Sequence, residues 1–98
     1  MCGIFGVIAS DDLSSLNAKL DKTVEFLAIK SESRGKDSSG ISFLNNNTKS
    51  IEVFKGPVPI TQLIKSHNVK TAMRNVLPLN SSGNYRCVFG HSRLVTNG

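Results

Sequence analysis

The sequence starts MCGIFGVIA over residues 1–9, and this stretch decides the fold. The run from Cys2 to Ala9 is apolar and contains Gly3 and Gly6. Because it is too short for a typical helix, it predicts a buried strand. The glycines indicate that another part of the chain packs closely against the backbone of this strand.

A helix is predicted directly after this strand. Asp11 and Asp12 offer an N-cap, and large apolar side chains then recur at steps of three and four residues. The pattern predicts a helix that ends near Ser31 and turns one apolar stripe toward a core. The stripe consists of Leu13, Leu16, Leu20, Val24 and Leu27.

A loop and a β-hairpin are predicted next. The polar segment RGKDSSG, residues 34–40, is typical of a loop. Strands are predicted at 41–44 and 51–55, with a turn at Asn45-Asn46-Asn47 because asparagine tolerates left-handed backbone angles. Ile51 and Val53 are expected to alternate with exposed residues and to be buried.

Two short helices, a loop and a last strand are predicted after the hairpin. Gly56-Pro57-Val58-Pro59 interrupts the strand pattern, and two short helices are predicted at 60–66 and 69–76. A loop is predicted at 78–84. A last strand, 85–89, leads into the segment GHSRLVTNG, residues 90–98.

Composition excludes several classes of protein. With 98 residues, 39% of them hydrophobic and 19% charged, the chain predicts one small globular domain. No apolar run approaches the roughly 18 residues that span a membrane, and the first run lacks the basic flank of a signal peptide. We therefore expect a cytoplasmic protein without membrane contact. The net charge of +5 comes from basic residues scattered singly, which argues against nucleic-acid binding.

The two cysteines are not expected to bind a metal ion or to form a disulfide. Cys2 and Cys87 are expected to be free thiols, and His67 and His91 lie in unrelated contexts. We therefore predict no metal site and no cofactor.

Cys2 stands directly after the initiator methionine. If Met1 is removed, one residue carries both a thiol and a free α-amino group, whose pKa of about 7.7–8.0 makes it a base near neutral pH. This pair can act as nucleophile and general base. The residues around Cys2 leave the alternative open that it is an ordinary buried cysteine of the first strand.

Three segments together resemble the class II glutamine amidotransferases. They are MCGIFG at residues 1–6, RGKDSSG at 34–40 and GHSRLVTNG at 90–98, in the order and near the spacing of that family. The resemblance implies the N-terminal nucleophile fold, an αββα sandwich. The family's glutaminase domain is about twice this length, so residues 1–98 would be its N-terminal portion.

The resemblance also implies roles for individual residues. Cys2 would attack the side-chain amide of glutamine and form a thioester, and ammonia would pass to a synthase domain or subunit. Arg93 would bind the α-carboxylate of glutamine with its guanidinium fork, because that geometry matches a carboxylate. Thr96 would add a hydroxyl hydrogen bond, and Leu94 stands where many hexosamine-phosphate synthases have tryptophan.

Three further residues would order the loop near the nucleophile: Arg34, Asp37 and Gly35. Arg34 and Asp37 also have a plainer interpretation, because they suit a surface ion pair. His91 is expected to be structural, because the amine of Cys2 already serves as the base, and Cys87 is expected to be a core residue.

The family's oxyanion hole and its aspartate for the α-amino group would come from a later segment. Loss of one oxyanion donor lowers rates by roughly 100- to 1,000-fold, so the 98 residues alone are expected to have little glutaminase activity. Two alternatives remain, namely a catalytically incomplete fragment that acts as an interaction module, and a small basic binding protein.

Overall fold

The computed structural model describes residues 2–10, 20–45, 49–77 and 85–94. These residues form a mixed architecture of one antiparallel sheet and three helices, as the predicted α+β class requires. The elements are β1 (Cys2–Ser10), α1 (Leu20–Glu32), β2 (Ser38–Asn45), β3 (Ser50–Gly56), α2 (Ile60–Leu63), α3 (His67–Val76) and β4 (Tyr85–Arg93).

The last described strand lies beside the first. The strand order in the sheet is β1-β4-β2-β3, and every neighbouring pair is antiparallel. The register places Cys2 opposite Arg93 at one end of the β1–β4 pair and Ser10 opposite Tyr85 at the other. Strand β4 is therefore central, and it connects the N-terminal strand to the β2–β3 hairpin.

The helices cover one face of this sheet. Phe5 and Ala9 of β1 point toward the helices and are buried, whereas Ile4 and Ile8 are 80% and 69% exposed on the other face. This alternation follows from the two-residue period of a strand. We call the uncovered side the open face; its outward side chains include Cys2, Ile4, Ile8, Phe89, His91, Arg93, Ile51, Val53 and Lys55.

Helix α1 confirms part of the predicted stripe. Leu20 and Val24 are buried, Leu27 is half-buried, and Ala28 rather than Leu27 continues the buried face. The helix ends at Glu32, next to the predicted end at Ser31. The N-cap and the first two leucines of the stripe fall in 11–19, outside the described residues.

Two strands are longer than predicted. Strand β2 begins at Ser38 instead of residue 41, and β4 continues to Arg93 instead of ending at Phe89. The polar side chains at the start of β2 and at the end of β4 give no strand pattern in the sequence. The backbone hydrogen bonds nevertheless continue there, because β4 pairs with a strand on each side. The extension of β4 places Arg93 on a strand instead of in a loop.

The burial expected for β3 is wrong. Ile51 and Val53 are 66% and 63% exposed because they point to the open face. The side chain that packs inward is Phe54, which makes an edge-to-face contact with Phe43 at a centroid distance of 6.2 Å. Residues 46–48 of the predicted turn are outside the described residues, and Lys49 after them has a left-handed φ of 59°.

The short helices agree with the predicted positions within a few residues. Helix α2 is shorter than the predicted 60–66, and α3 begins two residues before the predicted start at residue 69. Both add buried apolar side chains to the same core as α1, among them Ile60, Leu63, Val69, Ala72 and Val76. The predicted loop 78–84 lies outside the described part of the chain.

Gly90 is required where β4 passes beneath Phe5. The two residues are register partners, and a Cβ atom at Gly90 would overlap the Phe5 ring. We expect Gly90→Ala to lower the free energy of unfolding by about 1–3 kcal/mol, because the ring would have to leave its packed position. Urea denaturation followed by circular dichroism measures this change.

The matched control is Gly56→Ala. There a Cβ would lie 3.7 Å from Cγ2 of Val58, which is ordinary contact. Equal stability of the two variants would contradict the packing described for Phe5.

Candidate active site

Cys2 and Arg93 are direct cross-strand neighbours on the open face. Both side chains are exposed, and Ser38 of β2 pairs with Arg93 from the other side. Side chains of directly opposed residues have Cβ atoms about 4.5–5.5 Å apart. The residues that carry a thiol and a guanidinium therefore stand side by side at one end of the sheet, and both side chains are exposed to solvent.

The end of α1 packs tightly behind Cys2. A Cβ at Gly3 would lie 2.5 Å from the Ser31 carbonyl oxygen and 3.0 Å from Cβ of Arg34. Gly3 thus permits the contact that the sequence predicted from its glycines. The nucleophile candidate consequently extends from a strand whose backbone is fixed by a helix terminus.

A buried pair of hydroxyl groups joins α1 to β4 at the same level. The Oγ atoms of Ser31 and Ser92 are 2.9 Å apart, and Ser92 is fully buried. Ser31 Oγ also donates to the carbonyl oxygen of Ala28 at 2.8 Å, so Ser92 is the donor to Ser31. This bond fixes the residue next to Arg93 and has no signal in the sequence, since its partners are distant along the chain.

The loop between α1 and β2 holds the end of β4. The backbone N–H of Asp37 donates to the carbonyl oxygen of Arg93 at 3.0 Å. A Cβ at Gly35 would collide with the backbone of Arg93 and Leu94. Gly35 and Asp37 therefore position the candidate substrate-binding residue through its main chain, and the glycine is needed for close approach.

Arg34 also belongs to this loop. Its N–H donates to the carbonyl oxygen of Ser31 at 3.0 Å, and the N–H of Gly35 donates to that of Glu32 at 3.0 Å. These bonds satisfy carbonyl groups at the end of α1. The side chains of Arg34 and Asp37 are both exposed.

The structure brings together six of the seven predicted site residues. Cys2, Arg93, Arg34, Gly35 and Asp37 surround one end of the sheet, and Leu94 follows β4 with 44% of its surface exposed. Thr96 lies outside the described residues, so its hydrogen bond to substrate stays a prediction.

His91 lies one row further along the open face. It pairs with Ile4 on one side and Gly40 on the other, and a Cβ at Gly40 would be 2.6 Å from its Nε2 atom. The imidazole therefore lies across a glycine. A cavity of about 420 Å³ opens here and is lined by Cys2, Ile4, Lys55, Phe89 and His91 among others.

The charge at this end of the open face is positive. Lys55 and Arg93 point outward here, and no acidic side chain is among the described residues of this face. Such a surface favours an anionic group, for example a carboxylate.

The two cysteines have different surroundings. Cys2 is exposed, whereas Cys87 is buried between its register partners Ile8 and Leu44. Burial raises the pKa of the Cys87 thiol, which disfavours its reactive thiolate form.

Glu32 is a positioning residue that sequence reasoning missed. Its Oε1 accepts hydrogen bonds from the hydroxyl of Thr61 at 2.6 Å and from the N–H of Thr61 at 3.1 Å. These bonds tie the end of α1 to the start of α2. No local sequence pattern predicts these hydrogen bonds, because the partners are separated by 29 residues.

Comparisons with known proteins identify no relative of this chain. No protein-family model, curated protein or solved structure matches the chain. The described residues contain no group of three or more histidine, cysteine, aspartate or glutamate side chains that could hold a metal ion. None of their helices combines the length and apolar character needed to cross a membrane.

Glu32 makes stability depend on pH. The Thr61 hydroxyl is the main cause that lowers the pKa of this carboxyl below its ordinary value of 4.5, with smaller effects of the Thr61 N–H, Lys36 and Lys65, while burial opposes them. A lowered folded-state pKa stabilises the protein above pH 4.5 and loses that contribution as the pH falls through the folded value.

We therefore expect Glu32→Gln to lose less stability than the wild type on acidification from about pH 6 to about pH 3, because its side chain cannot titrate. Urea denaturation at both pH values measures the difference. Glu25→Gln, an exposed position on the same helix, is the control. If Glu32→Gln and Glu25→Gln lose the same amount of stability between the two pH values, the Thr61 contact does not lower the pKa of the Glu32 carboxyl.

Proposed function

We propose that the chain is a glutaminase segment that releases ammonia from the side chain of glutamine. The observation that carries this proposal is the pairing of Cys2 with Arg93 at an exposed end of the sheet. A nucleophile and a bidentate carboxylate binder in adjacent positions suit a substrate that has an amide at one end and an α-carboxylate at the other.

The proposed reaction begins with removal of Met1. The free α-amino group of Cys2 takes the thiol proton, and Sγ attacks the amide carbon of glutamine. The tetrahedral intermediate collapses when the amine returns that proton to the leaving nitrogen, so the C–N bond breaks and ammonia departs. Water then hydrolyses the thioester, which yields glutamate and restores the thiol.

The binding roles follow from the same assignment. Arg93 holds the α-carboxylate, and Thr96 and Leu94 complete that side of the site. The loop residues Gly35 and Asp37 keep the backbone of Arg93 in place, and Arg34 joins this loop to the end of α1. This division of work is supported by the Asp37 N–H bond to the Arg93 carbonyl.

The full fold that we propose is the N-terminal nucleophile αββα sandwich. Helices on one face of an antiparallel sheet and an apolar open face are what one half of such a sandwich needs. Ammonia would then pass to a synthase domain or subunit. A reducing compartment such as the cytoplasm suits the free thiol on which the reaction depends.

A second candidate function is an interaction module without catalysis. It is favoured by the exposed hydrophobic side chains of the open face, since contiguous apolar patches mark binding surfaces. Here Cys2 would have no special reactivity toward glutamine analogues.

Labelling with a diazo-ketone analogue of glutamine separates the two candidates. The diazo carbon takes up the proton of the Cys2 thiol, the thiolate displaces dinitrogen, and a thioether forms. Intact mass shows both this adduct and the loss of Met1. We expect one adduct on the wild type and on Cys87→Ser, and none on Cys2→Ala. A chain that has lost Met1 but stays unlabelled under conditions where free cysteine methyl ester reacts would contradict the proposal.

Replacement of Arg93 tests the carboxylate site. We expect Arg93→Lys to raise the analogue concentration for half-maximal labelling by about tenfold or more, because lysine cannot form the bidentate pair. Arg74→Lys on α3 is the control and should behave as the wild type. Equal labelling of the two variants would remove Arg93 from the proposed site.

A further inference from the structure

The two edge strands of the described sheet differ in how they are protected. Strand β3 carries Glu52 and Lys55, and Pro57 follows it directly. Charged residues and proline at an edge discourage pairing with another chain. Strand β1 has neither over its length from Cys2 to Ser10, although it is the other edge.

The sequence of β1 is nearly palindromic about Gly6. In an antiparallel pairing of two β1 strands centred on this residue, Ile4 lies opposite Ile8 of the other copy and Phe5 lies opposite Val7. Gly3 then meets Ala9, and Cys2 meets Ser10. Small residues meet small ones and large apolar residues meet apolar ones in these pairs, so the strand is broadly complementary to itself.

We propose that β1 pairs with β1 of a second copy of this chain, antiparallel and centred on Gly6, so that one sheet continues through both copies. The pairing satisfies backbone groups along the β1 edge. It also brings Ile4 and Ile8, which are 80% and 69% exposed in the single chain, into two symmetric cross-strand pairs.

The charges at the β1 edge do not oppose this arrangement. Lys30 and Arg34 line a cavity of about 390 Å³ along the Cys2 end of the β1 edge, and no acidic residue lines it. Because the pairing is antiparallel, the Cys2 ends of the two copies lie at opposite ends of the shared edge. The cations of one copy therefore do not face those of the other.

The helix layers agree with the same pairing. Helix α1 packs over both β1 and β4, and a two-fold axis perpendicular to the sheet keeps the second α1 on the same face. Strands are about 4.8 Å apart, which sets the two helices roughly 10 Å apart and within the range for packed helices. The half-buried Leu27, which lines the edge cavity, would then be covered.

This association is independent of the proposed reaction. Edge pairing adds a strand in the plane of the sheet and does not itself cover the open face, to which the side chains of Cys2 and Arg93 point. Diazo-ketone labelling and dimer formation are therefore separate measurements, and either can fail alone.

Sedimentation velocity over a range of chain concentrations, from about 5 to 500 µM, tests the proposal. We expect a reversible dimer. Ile8→Lys should weaken it about tenfold or more, since symmetry removes two cross-strand pairs and adds unfavourable charge. Val53→Lys on β3 is the control, at a similarly exposed position of the same open face.

Two results of this experiment would overturn the proposal. A monomer at every concentration excludes the pairing. An equal loss of dimer in Val53→Lys would show association through the open face instead of the edge.

A cross-link tests the register. In Ser10→Cys, the new thiol should lie opposite the native Cys2 of the other copy, within the range of about 4.4–6.8 Å between Cα atoms that a disulfide needs. Oxidation with diamide, which accepts two electrons and two protons, should give covalent dimers joined between positions 2 and 10. Cys2→Ser in the same background should abolish them, and dimers joined only between two copies of position 10 would contradict the register.

Discussion

The antiparallel register between β1 and β4 is the constraint on which the rest of the structure depends. A shift by one residue would exchange the two faces of β1, because side chains alternate along a strand. Phe5 would leave the core and Cys2 would point toward α1. The register is held by Gly90 beneath Phe5 and by the Ser31–Ser92 hydrogen bond. The candidate site thus depends on contacts on the opposite face of the sheet as well as on the Asp37 bond to the main chain of Arg93.

Sequence reasoning identified the elements whose pattern is local. The apolar run of β1 predicted a strand and the periodic stripe of α1 predicted a helix, and both elements are confirmed. The burial predicted for β1 is right for one face only, because Ile4 and Ile8 are exposed on the other. The true end of β4 was missed because Gly90-His91-Ser92-Arg93 lacks a strand-like composition. Its strand conformation comes from its two neighbours in the sheet, which no local pattern encodes.

Sequence reasoning found some residues of the candidate site and missed the roles of others. Motif resemblance selected Cys2, Arg93 and the loop of Arg34, Gly35 and Asp37, and the fold brings these residues to one end of the sheet. It did not indicate that Gly35 and Asp37 act on the main chain of β4. Glu32 escaped notice altogether, because its role depends on a threonine in a separate helix. Long-range contacts of this kind require the fold.

The strand order has a consequence for the time course of folding. Strand β1 precedes all the other described elements, yet its described partner is β4, and Cys2 and Arg93 are 91 residues apart along the chain. Closing so long a loop has a large entropic cost and slows folding, whereas the β2–β3 hairpin can form from adjacent segments. Strand β1 therefore cannot form this pairing until β4 has been synthesised. Throughout that interval its thiol and its apolar side chains are open to solvent, to oxidants and to other nascent chains.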